Sequence, residues 1–220
     1  MIVLGIDCTT KWTNIGISDN DTVLGEINEE LGRKQASQLP LMVEKLTETC
    51  SLTLSDVDVI AAASGPGYYT GIRTGIAYAS SLALALGLKI IPLATTELFV
   101  YDLRKTEKIL VPVIKARSDS FYTAIYESDS SRLIPIMPPA FISSAQFAEK
   151  IKLYPSAAIV GSDANLYPDI KNLGCKIIER SCGSGGDAAL LGYYKRDDAA
   201  EPYKINGQYL REPDIGPTKQ

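Results

Sequence analysis

The residues that could do chemistry are few, because the sequence contains no histidine. That removes the commonest general base near neutral pH and the commonest transition-metal ligand. Any reaction would have to run on carboxylates, hydroxyls, thiols or backbone amides. The first candidate is Asp7, at the end of the apolar run Ile2–Asp7 and followed by Cys8, Thr9 and Thr10. A strand-end aspartate of this kind caps a turn more often than it binds a metal. The second is Gly65-Pro66-Gly67-Tyr68-Tyr69-Thr70-Gly71-Ile72-Arg73-Thr74-Gly75. Glycines such as Gly65, Gly67 and Gly71 beside a helix start can present amides to an anion, helped by the helix dipole. The run is neither GxxxxGK[ST] nor GxGxxG, so a tight turn that allows close packing is the plainer reading. Cys8, Cys50, Cys175 and Cys182 form no CxxC pair and no zinc spacing, which predicts reduced, mostly buried thiols.

Composition narrows the partners. With 22 Lys and Arg against 26 Asp and Glu, the net charge is −4, a poor counterion for a phosphate backbone. Tight nucleic-acid binding by this chain alone is therefore disfavoured. No apolar stretch is long enough to span a bilayer and no basic leader precedes the first strand, so a cytoplasmic protein without membrane contact is expected.

The elements that must position these residues follow from periodicity. Ile2–Asp7, Thr13–Ser18 and Thr22–Ile27 read as a β-meander. A helix is expected from a Ser37 cap to about Cys50, with Leu39, Met42, Val43 and Leu46 on one face. Val57–Ala63 reads as a buried strand, followed by the glycine cluster and a second helix from Thr70 to Leu86, stopped by Gly87. In that helix Arg73 is the only charge. Ile72, Ile76, Ala79, Ala83 and Leu86 should lie on a sheet, leaving Thr74, Tyr78, Ser81 and Ala85 as a small, uncharged opposite stripe. A helix without a polar face is covered on both sides, here by the rest of the chain or by another protein. Lys89–Leu93 reads as a strand and Thr95–Leu103 as a helix capped by threonine.

The pattern then restarts. Ile109–Ile114, Phe121–Glu127 and Leu133–Met137 form a second meander, followed by a helix, short strands and a terminal helix over 187–195. A shift of about 108 residues lays Ile6-Asp7-Cys8 on Ile114-Lys115-Ala116. Two pseudo-symmetric β-β-β-α-β-α lobes imply the α/β, actin-like (ribonuclease H-like) fold, with lobes 1–104 and 105–220 and a clasp over 205–211. In ATPases of that fold an acid at each of the two strand ends serves magnesium and phosphate. Here the second position is Lys115, which argues against catalysis.

Taken together these motifs resemble the TsaB (YeaZ) family. Ile6-Asp7-Cys8-Thr9-Thr10 is similar to its opening I-D-[TS]-[ST]-T, and GPGYYTGIRTG to its GPGSFTGxRxG signature. Ile114-Lys115-Ala116-Arg117 with Tyr122 resembles I-D-A-R…Y, and Tyr209-Leu210-Arg211 a closing Y-L-R. Departures are Lys115 for the usual acid and Gln35 where the family often carries histidine. The resemblance implies a role in making N6-threonylcarbamoyladenosine in tRNA. It implies a non-catalytic subunit, without cofactor or metal, that pairs with a TsaD-like transferase, is joined by a TsaE-like ATPase, meets tRNA only through that complex and forms a homodimer when alone. The transferase's metal site is built on histidines, which this chain lacks. Asp7, Thr9, Thr10, Gly65, Gly67 and Gly71 would then be a vestigial phosphate loop. The pairing surface is expected at Leu41, Met42, Lys45, Arg73, Thr74, Tyr78, Ser81 and Ala85. The rivals are an autonomous ATPase or kinase of the same fold, a histidine-free peptidase, and a stand-alone homodimer.

Overall fold

The computed structural model describes residues 1–117, 119–162, 170 and 172–211. Its first half runs β1 (Ile2–Asp7), β2 (Trp12–Asp19), β3 (Thr22–Glu30), α1 (Gln35–Thr49), β4 (Val59–Gly65), α2 (Tyr69–Leu86), β5 (Lys89–Ala94) and α3 (Thr95–Leu98). The second half runs β6 (Ile109–Lys115), β7 (Ser120–Ser128), β8 (Leu133–Ser143), α4 (Ser144–Ile151), β9 (Ala158–Val160), β10 (Lys176–Ile178) and α5 (Gly185–Tyr194). The first sheet has the order β3-β2-β1-β4-β5 and the second β8-β7-β6-β9-β10. In both, the first three strands are antiparallel and the last two join in parallel. The two sheets therefore share one topology, and the fold is the actin-like α/β arrangement with Asp7 and Lys115 at matching strand ends.

The side-chain alternation of β1 explains the layers. Leu4 and Ile6 meet Leu39, Val43 and Leu46 of α1 and Ala79 and Ala83 of α2, while Val3 meets Ala188 and Leu191 of α5. The first sheet is thus covered on one face by α1 and α2 and on the other by α5, whose residues follow the second sheet in sequence. Glycine permits that contact: a Cβ on Gly5 would stand 2.3 Å from the Ala189 nitrogen, and one on Gly16 2.2 Å from the Gly185 oxygen. Phe147 and Ile151 of α4 pack on Phe121 and Ile125 of the second sheet.

Local ends differ from the sequence reading. The first helix starts at Gln35, directly after a 3-10 turn over Gly32–Lys34, so Ser37 is not its cap. Its hydroxyl instead donates back to the Lys34 carbonyl, and Pro40 sits inside the helix. The helix expected over Thr95–Leu103 is divided into α3 and a 3-10 segment, Tyr101–Lys105, and Thr95 makes no capping hydrogen bond. The clasp is not a strand. It is held by the Gln208 amide donating to the Ser64 carbonyl at 2.7 Å, with Tyr209 against Tyr69 at 5.2 Å between ring centres. The Pro-rich tail beyond Arg211 lies outside the described residues.

Candidate partner-docking face and the turn beside it

Asp7 is sealed inside the turn that follows β1, at 1% exposure. One carboxylate oxygen accepts from the Thr9 amide at 2.8 Å and from the Thr9 hydroxyl at 2.6 Å; the other accepts from the Asn14 amide group at 3.3 Å. Burial raises its pKa, and the bonds from Thr9 and Asn14 oppose that rise. Thr9 also accepts from the Thr95 hydroxyl, and Thr10 accepts from the Trp12 amide. The group caps a turn. Neighbouring Cys8 is buried too, and desolvation followed by the Asp7 charge pushes its thiol up to about 12, far from a reactive thiolate. Among the described residues no cluster of three or more Cys, Asp or Glu could hold a metal ion.

The glycine run closes over this turn. The Tyr68 amide donates to the Thr9 carbonyl at 2.7 Å. A Cβ on Gly67 would lie 2.2 Å from that same oxygen, one on Gly71 2.0 Å from the Cys8 carbonyl oxygen, and one on Gly65 2.7 Å from the Gln208 oxygen. On the side where a Cβ would stand, Gly65, Gly67 and Gly71 are met by backbone of this chain, so the absence of a side chain there serves close packing; Gly67 and Gly71 also border a cavity of about 510 Å³. The structure brings Asp7, Thr9, Thr10 and these glycines together, but around a turn. Gln35, to which the sequence assigned no role, completes the knot: its side-chain nitrogen donates to the carbonyls of Cys8 (3.1 Å), Thr10 (3.1 Å) and Trp12 (3.0 Å). Lys115 opens instead onto a cleft of about 250 Å³, shared with Lys11, Trp12 and Glu30.

The outer surface of α1 and α2 is the other assembled feature. Leu41 is 56% exposed and Lys45 is exposed, whereas Met42, at 5%, belongs to the core. Met42 is thus a correction to the expected face: with Leu39, Val43 and Leu46 it lies on the stripe turned to the sheet. On α2, Arg73, Ser81 and Ala85 are exposed and Thr74 and Tyr78 half-buried. The structure adds Ala77 and Leu84, the latter 62% exposed. Arg73 is held along the helix by donating to the Tyr69 hydroxyl at 3.0 Å. A groove of about 560 Å³ runs between the helices past Ala36, Thr70, Thr74, Tyr78 and Ser81. It continues into a cavity of about 510 Å³ beside Arg33, Tyr122 and Tyr209. Across these exposed positions of α2, none of the described residues supplies the second cover that an uncharged helix face requires.

A family model described as TsaD, tRNA N6-adenosine threonylcarbamoyltransferase, matches residues 21–183. The chain belongs to this family. Within it the likeness runs to TsaB: the tRNA threonylcarbamoyladenosine biosynthesis protein TsaB of Bacillus subtilis is 26% identical, over 96% of this chain and 94% of that protein. YeaZ from Pseudomonas aeruginosa has the same fold, with a TM-score of 0.84 at 20% identity over 95% of this chain and 99% of that one. The tRNA N6-adenosine threonylcarbamoyltransferase of Pyrobaculum islandicum is 32% identical over 105 residues, 42% of this chain and 32% of its own length. The chain therefore spans about a third of that TsaD-type transferase and nearly all of the TsaB protein. No helix among the described residues is long and apolar enough to cross a membrane.

Proposed function

We propose that the chain serves N6-threonylcarbamoyladenosine biosynthesis in tRNA as a non-catalytic subunit that docks a larger, TsaD-like paralogue. The observation that carries this reading is the outer face of α2. From Thr74 to Ala85 it exposes Ala77, Ser81, Leu84 and Ala85 without a charge, beside exposed Leu41 of α1. An uncharged helical face of this length marks an interaction surface. Small residues let a partner helix approach to about 8–10 Å, and two such helices can supply most of the roughly 800 Å² per partner that a specific interface needs. The name of the Bacillus relative supplies the pathway. The sealed Asp7, the protonated Cys8 and the missing histidines support leaving the transfer chemistry to the partner.

The same face serves a homodimer when the chain is alone, so the two assemblies exclude each other. A TsaE-like ATPase and tRNA join through the heterodimer. The test is titration calorimetry against the TsaD-like paralogue of the same organism, with Ser81→Arg as the variant. Burying an unpaired cation costs several kcal/mol, which weakens pairing about a hundred-fold or more. Reconstituted tRNA modification should fail with it while the melting temperature holds. Pairing of Ser81→Arg at wild-type affinity would place the interface elsewhere.

A further inference from the structure

The clasp delivers the chain to a defined place. The Gln208 amide donates to the Ser64 carbonyl at 2.7 Å and Tyr209 packs on Tyr69, so Arg211 reaches the wall of the cavity of about 510 Å³ at the start of α2. Among the described residues that wall carries Lys11, Arg33 and Arg211 and no carboxylate. Lys11 and Arg33 are exposed, and neither joins an ion pair among the described residues. The helix α2 opens onto the same space through Thr70 and Gly71. Its start is uncapped: Tyr68 makes no side-chain capping hydrogen bond, and the first turn holds no acid. The first amides of this 18-residue helix therefore lack the negative charge that a helix start favours. Past Arg211 the sequence continues Glu212-Pro213-Asp214-Ile215-Gly216-Pro217-Thr218-Lys219-Gln220. Its two acids come within three residues of Arg211, a reach of roughly 10 Å in extended chain. The whole segment reaches roughly 30 Å, about the 27 Å length of α2.

We propose that residues 212–220 fold back on their own chain, with Glu212 and Asp214 between Lys11, Arg33 and the start of α2, and Ile215 in the groove between α1 and α2. Acid there meets unpaired cations and an uncapped helix. The segment's only branched aliphatic residue meets Ala36, Leu39 and Ala77 of the groove wall. An exposed ion pair contributes little by itself, but the tether holds these groups at millimolar effective concentration, so weak contacts suffice. The groove belongs to the proposed docking face, so this segment and the TsaD-like paralogue compete for it. The competition rests on the docking reading; the contact does not.

The contact is tested on the full chain with a carbodiimide, which joins a carboxylate to an amine that touches it. Mass spectrometry of the digest should find Lys11 joined to Glu212 or Asp214. Mixing nitrogen-15 and nitrogen-14 chains before coupling should give unmixed products alone. No such product overturns the proposal, and mixed products overturn it in favour of a second copy of the chain. In the variant carrying Glu212→Gln and Asp214→Asn, the amide resonances of Arg33, Thr70 and Gly71 should shift. Ile215→Ser should shift those of Ala36 and Ala77; unmoved resonances overturn the corresponding contact. Calorimetry against the paralogue then reads the competition. The Glu212→Gln, Asp214→Asn variant should pair about five-fold more tightly, as expected when about four chains in five are closed. Coupling within one chain with unchanged affinity overturns the competition. Normal pairing of Ser81→Arg overturns the docking reading and the competition with it, while the coupling still decides the contact.

Discussion

Gly71 of α2 lies against the Cys8 carbonyl so closely that a Cβ at that position would stand 2.0 Å from the oxygen. The contact fixes the start of α2 on the end of β1. The obstacle is backbone, which cannot rotate away as a side chain could. Gly71→Ala should therefore cost about 3 kcal/mol through overpacking, read as a lower urea midpoint with an unchanged slope. A loss below about 0.5 kcal/mol, the scatter of surface substitutions, would mean that the helix start is not seated there.

Gln35→Leu removes the donor shared by the carbonyls of Cys8, Thr10 and Trp12 while keeping a side chain of similar size. Buried acceptors left without a donor cost about 1–3 kcal/mol. Amide exchange at Thr9 and Tyr68 should quicken with it, because their bonds belong to the same turn. Unchanged exchange would show that α1 does not brace that turn.

Leu41 and Met42 are adjacent but should fail in opposite ways. Met42→Ala opens a hole in the core and should cost about 3 kcal/mol in stability. Leu41→Ala, on the exposed side, should leave stability within about 0.5 kcal/mol and weaken docking of the TsaD-like paralogue. Calorimetry of folding and of binding on both variants separates the effects; Leu41→Ala with full affinity would remove α1 from the proposed interface.

Asp187, in the first turn of α5, has a pKa raised from 3.8 to about 6, by burial first and by Asp102 second, against Arg180, Ser184 and Arg104. Its folded value lies above the unfolded one, so its contribution to stability is complete below about pH 4 and is lost as pH rises through 6. Asp187→Asn should flatten the fall between pH 4 and 7, a difference of about 2 kcal/mol at pH 7 after allowing for partial exposure. Parallel pH profiles for the variant and the parent chain would show that the carboxyl titrates normally.

Much of this was legible along the chain. The inner stripe of α2 was readable because residues on one helix face recur at fixed spacing, and Ile72, Ala79 and Ala83 are buried as that spacing requires. The repeated meander gave the matching sheets, since strand order follows from short antiparallel links followed by crossovers. Met42 was misplaced because the same helical spacing that puts it with Leu39 and Leu46 was set aside when the outward face was chosen. Gln35 had no signal, as its three carbonyl partners are backbone groups 23–27 residues away.

The sequence by itself determined the absence of histidine, the periods of its helices and strands, and the uncharged stripe of α2, because residue type and local spacing are sufficient for each. Only the tertiary structure decided what covers that stripe and what fills the glycine loop. Both depend on contacts between distant backbone segments: α5 settles on Gly5 and Gly16 across the far face of the first sheet, leaving the outer face of α2 to solvent. The turn after β1 packs its Thr9 and Cys8 carbonyl oxygens against Gly67 and Gly71. A glycine in the sequence records that something approaches closely, and the fold alone determines whether that neighbour is a ligand or the chain's own carbonyl oxygen.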